Sequence, residues 1–213
     1  SLVMNLPLRE AIADSSRRAQ AASHRYGQLL NDGDRRMLVQ AFHRAESLAR
    51  HALVDALDQV SEQYLAALKA QLADEDRHVD VFATWQQEAP PAVPAPRRKQ
   101  RKEHVWFALL LANEVAGFCQ FEMLSALLVD KTQQQQLQDI IRDETEHITR
   151  LARWLRPYRE LPSFADVKRI AGRFNGDLEG RMQQFLPRQE LAGFRREMGA
   201  VIRTLLEAAF GLD

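Results

Sequence analysis

The sequence predicts an all-α chain built on four long central helices, and three observations carry that prediction. Strand signals are nearly absent. Ala, Leu, Gln, Glu and Arg dominate in helical periodicity. The nine Gly and eight Pro are few for 213 residues, and they cluster at the joints. With 46% hydrophobic and 27% charged residues there is enough apolar material for a core, so a disordered chain is excluded. The length fits a single domain spanning residues 1–213.

Taken in order, residues 8–30 form an amphipathic stretch ending at a turn, Asn31-Asp32-Gly33-Asp34, where Asp34 is placed to cap the next helix. That long helix runs to about residue 57 and another covers about 61–87. Residues 86–102 hold Pro90, Pro91, Pro94 and Pro96 followed by a basic run, which reads as an extended, solvated connection. A third central helix is expected over 104–129. The fourth covers 132–155, with Thr132 and Gln135 as a possible capping box and Pro157 as its stop. Two accessory helices complete the chain: one from about Ser163, with Asp166 at its capping-box position and a break at Asn175-Gly176, and one from Pro187 to Phe210. Central helices of about 25 residues are each close to ~40 Å long. Two short turns and one long connection make a four-helix bundle with a crossover.

Composition narrows the function classes. Lys+Arg and Asp+Glu are both 29, so no global field recruits nucleic acid or anionic membrane. No apolar run approaches the length that spans a bilayer, and the start lacks the layout of a signal peptide. The expected setting is cytoplasmic, with no membrane partner. One cysteine, Cys119, excludes an intramolecular disulfide, a cysteine-based zinc site and an iron–sulfur module within the chain.

Among six histidines, two carry the same preceding sequence: Asp74-Glu75-Asp76-Arg77-His78 and Asp143-Glu144-Thr145-Glu146-His147 both read Asp-Glu-x-x-His. The i, i+3 spacing puts Glu and His on one helix face, where both can reach the same ion. A lone carboxylate precedes each motif at nearly the same distance: 28 residues lie between Glu46 and Glu75, and 29 between Glu114 and Glu144. The midpoints, between Val60 and Ser61 and at Val129, fall where the chain must turn, so antiparallel helices bring each Glu level with its partner motif. Glu122 competes with Glu114. It lies 7 residues before Val129 while Glu144 lies 15 after, and that mismatch of 8 displaces it by ~12 Å along the bundle. Four helices therefore converge four carboxylates and two imidazoles, Glu46, Glu75, His78, Glu114, Glu144 and His147. Oxygen and imidazole donors without thiolate suit Fe or Mn, and two divalent ions balance four buried negative charges.

These residues resemble the ferritin-like diiron-carboxylate proteins over about residues 34–156, including the duplication of two helix pairs. Asp74-Glu75-Asp76-Arg77-His78 looks like the Asp-Glu-x-Arg-His form of small diiron oxygenases; the second copy has Glu146 in place of the Arg. The resemblance implies a ferritin-like bundle with accessory helices over about 163–211, and metal ligation and catalysis at the six residues above. Glu75 and Glu144 would bridge two Fe ions, with Mn or a mixed Mn/Fe pair as alternatives. It also implies that Asp74 and Asp143 accept from the histidine of the opposite motif, and that Arg77 holds that acidic shell together. The implied activity is O2 activation at a two-iron centre to hydroxylate, N-oxygenate or deformylate a small organic substrate, with an external electron donor. The alternatives are an iron-handling or peroxide-scavenging protein of ferritin or rubrerythrin type, and a tRNA-modifying hydroxylase. A radical tyrosine like that of ribonucleotide reductase small subunits is absent, since Phe82 stands there, and the single cysteine rules out a rubredoxin module.

Other residues read more plainly. Phe82, Leu110, Leu111, Phe118, Cys119, Phe121 and Ile148 lie near the ligands in sequence and are candidates to line an apolar pocket, with core packing the simpler reading for Cys119. His43, one turn before Glu46, reads as packing before an added ligand. His51 and His104 read as surface residues, Glu122 as a rim carboxylate, and Trp85, Trp106 and Trp154 as core aromatics. The run Arg97, Arg98, Lys99, Arg101 and Lys102 reads first as solvated, then as a site for an acidic protein partner, with nucleic acid less favoured. A homodimer is compatible with the sequence.

Overall fold

A computed structural model describes the backbone of residues 2–211 and the side chains of residues 7–174 and 180–211. Among the described residues there are seven α-helices and no strand: α1 (Leu2–Tyr26), α2 (Asp32–Ala56), α3 (Leu65–Thr84), α4 (Glu103–Leu127), α5 (Lys131–Leu155), α6 (Phe164–Phe185) and α7 (Ala192–Phe210).

The joints obey local chemistry. The cap of α2 is Asn31: its side chain accepts from the Asp34 backbone N–H at 2.8 Å, and the Asp34 carboxylate accepts from the Asn31 N–H at 2.9 Å. Asp34 is thus the reciprocal half of a capping box rather than the cap itself. Likewise α5 is capped by Asp130, whose carboxylate accepts from Gln133 N–H at 2.8 Å, not by Thr132; an aspartate one position before the helix outcompetes a threonine already inside it. Ser163 makes no side-chain cap for α6, because its own backbone is already helical (φ −61°, ψ −15°) and its carbonyl accepts from the Asp166 N–H at 3.1 Å. The Asp166 carboxylate instead accepts from Arg169 at 2.7 Å and meets His104 at 3.4 Å. The expected break at Asn175-Gly176 does not occur; α6 runs through it. A single Gly costs a helix only about 1 kcal/mol, which packing of Phe174 and Met182 in the core offsets. Pro187 precedes a short 3-10 turn, Gln189–Leu191, and α7 begins after it, ending at Gly211 in the left-handed region (φ 68°).

Helices α2, α3, α5 and α4 touch in a ring, with α1, α6 and α7 packed against α4. Both predicted midpoints fall in turns, 57–61 and 128–130. Residues 86–102 form the long connection, tethered at several points. Val93 carbonyl meets His51 Nε2 at 3.1 Å, Gln59 donates to Lys99 carbonyl at 3.1 Å, Arg101 N–H donates to Gln59 at 2.9 Å, and Arg98 pairs with Asp58. The chain therefore returns along α2 before entering α4. His51 is half-buried by this contact and is not a surface residue. His104 is also buried, its ring tilted against Tyr158 (5.1 Å between centroids, 35°) beside Asp166.

Helix α4 corrects the expectation that no segment is long and apolar enough to cross a membrane: by length and composition it is, and 83% of that window is buried inside the fold. Its apolar residues serve several neighbours at once, which is why it lacks a polar face. Two aromatic layers straddle the bundle. Phe42, Phe82 and Phe121 from α2, α3 and α4 meet at 5.5 to 6.3 Å between centroids. Tyr64, Phe107 and Trp154 meet at 4.8 to 5.1 Å. Truncating any buried Phe of these layers to Ala would cost about 3–5 kcal/mol. Between the layers lies the site.

Candidate metal centre

Four helices supply the six residues: Glu46 from α2, Glu75 and His78 from α3, Glu114 from α4, Glu144 and His147 from α5. All six are buried, none more than 5% exposed. They form two groups, Glu46/Glu75/His78/Glu144 and Glu75/Glu114/Glu144/His147, in each of which the potential ligand atoms lie within 4.8 Å of one another. Glu75 and Glu144 belong to both. His78 Nδ1 lies 3.2 Å from Glu46, 3.7 Å from Glu75 and 3.4 Å from Glu144; His147 Nδ1 lies 3.3 Å from Glu114 and 3.9 Å from Glu75.

In each histidine it is Nδ1 that faces the cluster. Nε2 faces outward to the aspartate of the other motif: His78 to Asp143 at 2.9 Å and His147 to Asp74 at 2.7 Å. Arg77 bridges the two aspartates, paired with Asp74 and 3.4 Å from Asp143. This crossed pattern results from two antiparallel helices carrying the same motif. Each Asp precedes its Glu by one position and so points sideways toward the neighbouring helix.

The electrostatics of the group are adverse without a cation. Burial, then repulsion between Glu46 and Glu75, pushes the Glu46 carboxyl well above the usual range. Burial, then the charges of Glu114 and Glu75, does the same to Glu144. Glu75 is raised by burial and by Glu114. For Glu114 burial acts upward, but hydrogen bonding with Glu144 and the charge of His147 outweigh it and hold it low. Burial depresses His147, yet the carboxylates of Glu114 and Asp74 win and lift it to about 9; His78 is lifted further by Asp143, Glu144 and Glu46. Two carboxylate oxygens, Glu75 Oε2 and Glu144 Oε1, are buried with no hydrogen-bond partner. Native interiors rarely leave such atoms orphaned. Oxygen-rich donors, orphaned carboxylate oxygens and inward-facing imidazole nitrogens fit a bound metal ion.

Sequence reasoning missed two residues here. Gln71, fully buried, donates to Glu114 Oε1 at 2.8 Å and accepts from Arg150 Nη2 at 3.0 Å. Its signal was available, since it lies one turn before Glu75 on the same face. Arg150 lies three residues after His147, and is half-buried.

A cavity of about 360 Å³ adjoins the other half of the cluster, with Glu46 in its wall. Of the residues expected to line a pocket only Phe121 does so; Phe82, Leu110, Leu111, Phe118, Cys119 and Ile148 are buried in the core instead. Proximity in sequence misleads because a helix turns its neighbours to other faces. The lining comes from α2, α4 and α6, including Phe42, Asn113, Gly117, Gln120 and Phe185. A Cβ on Gly117 would sit 3.3 Å from Glu144 Oε2, so at that point the cavity is separated from the cluster only by backbone.

The remaining candidates fall outside the cluster. Glu122 is buried and accepts from Gln20 of α1 at 2.5 Å. His43 is buried, its imidazole lowered by desolvation, and belongs to neither group. The Cys119 thiol is buried and pushed up by burial and by Glu122. Trp85 and Trp106 donate to Gln136 (2.8 Å) and Gln59 (3.0 Å), and Trp154 sits in the second aromatic layer. In the basic run, Arg98 is engaged with Asp58 and Arg101 lies over the Trp106 ring at 4.8 Å.

No protein-family model, no curated protein and no solved structure matches this chain.

Proposed function

We propose that this chain is a ferritin-like diiron-carboxylate enzyme that activates O2 to oxidise a small organic substrate. One observation carries the reading: two overlapping donor groups share Glu75 and Glu144, with Glu46 and His78 completing one and Glu114 and His147 the other. Two shared carboxylates between two imidazole-ended halves make a site for a pair of ions. Two divalent cations balance four carboxylates with both imidazoles neutral. When bound, two iron ions would supply the electrons and the Lewis acidity for reduction of O2.

The chain's own residues supply the rest. Asp143 and Asp74 hold the Nε2 protons of His78 and His147, which leaves each Nδ1 lone pair pointing inward. The aromatic layers exclude water from above and below. Glu46 is the only member of the six that lines the cavity, so a guest there meets the His78 half.

The test is anaerobic reconstitution with Fe(II), then metal analysis, Mössbauer spectroscopy and an oxygen pulse. Two coupled irons per chain and a limited O2 uptake that rises with substrate are expected. Continued oxidation of excess Fe(II) to mineral would turn the assignment to iron handling. Absence of any bound transition metal after reconstitution would end it.

A further inference from the structure

The cavity beside Glu46 carries polar groups that a metal centre leaves unused. Its inner wall is small: Ala45, Ala49, Ala116 and Gly117 let a guest approach Glu46 and, behind Gly117, Glu144. Around it stand four phenyl rings, Phe42, Phe121, Phe174 and Phe185. Phe121 meets Phe42 edge-on at 5.7 Å (82°), and Phe185 lies tilted against Phe42 at 5.6 Å (43°). Such an arrangement offers a guest ring both faces and edges, the geometry in which aromatic pairs gain beyond their buried area. An apolar cavity of ~150 Å³ holds one benzene, and about 360 Å³ accommodates a bicyclic ring system.

Of the three amides in the cavity wall among the described residues, Gln184 is exposed and the other two are not. Asn113 has no side-chain hydrogen-bond partner among the described residues. The buried Gln120 has only the Met182 thioether, at 3.7 Å, a poor acceptor. Amides that are buried or half-buried and lack good partners favour a guest that supplies one. The groups placed to read a guest, Asn113 and Gln120, are neutral, so a guest carboxylate would be buried beside them without a counter-ion. Arg181, the one cation in the cavity wall among the described residues, is exposed, with its guanidinium over the Phe174 ring at 4.4 Å.

We infer that this cavity binds an uncharged bicyclic aromatic molecule bearing one hydrogen-bonding group, held between Phe42, Phe121 and Phe185 and read by Asn113 and Gln120. The inference deepens the proposed function by giving its substrate class, and it rests on that reading only for the chemistry, not for the binding.

Binding is measured by fluorescence titration and calorimetry on the full chain, metal-free and Fe(II)-loaded, with 2-naphthol, 2-naphthoate and 1-octanol as probes. One 2-naphthol per chain is expected, with 2-naphthoate and 1-octanol at least tenfold weaker. Gln120→Leu should weaken 2-naphthol five- to tenfold and Ala49→Phe should abolish its binding, while thermal melts show both variants folded. The metal-loaded variants should keep their iron content. Equal or tighter binding of 2-naphthoate or 1-octanol, or 2-naphthol binding that Ala49→Phe leaves unchanged, overturns the inference. Saturable 2-naphthol binding by a chain that takes up no iron would remove the diiron reading and leave this one standing; two irons with no 2-naphthol binding would do the reverse.

Discussion

The two halves of the buried cluster contain the same residue types in nearly the same spacing, yet their surroundings differ. Around His147, Glu114 has one oxygen facing the histidine and the other fixed by Gln71, which is itself held by Arg150. Around His78, Glu46 faces the histidine on one side and a cavity on the other. The positions that differ are the repeat's own equivalents. Four residues before the motif glutamate stands Gln71 in one copy and Ile140 in the other; three after the motif histidine stands Val81 in one and Arg150 in the other. The polar clamp is thus built from one residue of each copy, both acting on the same half. A duplicated scaffold supplies a symmetric donor set, and a few unmatched neighbours make one half rigid and leave the other open.

The largest effect should separate shared from private ligands. Glu75→Ala removes a donor common to both groups and should take metal content from two ions per chain to nearly none. Glu46→Ala should leave about one, retained in the Glu114 half. Glu114→Ala and His147→Ala should each abolish metal-dependent activity. Metal analysis after reconstitution checks this, and loss of both ions in Glu46→Ala would mean the halves do not bind independently.

Next in size is a pH effect on the metal-free chain. Glu46, Glu144 and His147 all have folded pKa values above their unfolded ones, about 4.5 for the glutamates and about 6.5 for the histidine. The stabilisation from their protons is therefore complete below those values and is lost as pH rises, for His147 through about 9. Asp143, held low by His78, has the opposite sign and acts only on the acid side. The Tm of the metal-free protein should fall between about pH 6.5 and pH 9, while the iron-loaded protein stays nearly flat over that window, because bound ions hold the ligands deprotonated. A metal-free Tm that rises across the window would contradict the sign.

How much of this picture was legible in the sequence can be read from particular residues. The four central helices and both turns were legible because helix periodicity and clustered Pro and Gly are local signals. The convergence of Glu46, Glu75, His78, Glu114, Glu144 and His147 was legible because equal spacing about two turns fixes register. The cavity was not. Its lining includes Phe174, Met182 and Phe185 of α6, and which face α6 lays across α2 and α4 is a tertiary fact with no local signature. The same holds for His104, whose burial depends on Asp166 and Tyr158, more than fifty residues away. Asn175-Gly176 failed as a break because propensity is a small term against packing.

The clamp gives a sharper, intermediate effect. Gln71→Leu leaves Glu114 Oε1 and an Arg150 donor buried without partners, which should cost about 1–3 kcal/mol in stability. Because Glu114 is then free to turn, affinity for one of the two ions should fall about 10- to 100-fold while the other is unchanged. Titration with Fe(II) under anaerobic conditions resolves the two steps; equal weakening of both would show that Gln71 does not act on one half alone.

The smallest effect is expected at Glu122, the carboxylate nearest to Glu114 in the sequence of α4. It is as buried as the cluster residues, so burial alone does not separate it from them. Its partner does: Gln20 of α1 donates to it at 2.5 Å, which turns it away from α3 and α5. Two turns of helix, ~12 Å, lie between it and Glu114. Glu122→Ala should keep two ions per chain and ordinary O2 uptake, and lower stability by about 1 kcal/mol through the lost hydrogen bond to Gln20. If that variant instead lost an ion, the open half of the cluster would draw on α4 at a different level, and the contrast between a clamped Glu114 and a cavity-facing Glu46 would have to be redrawn.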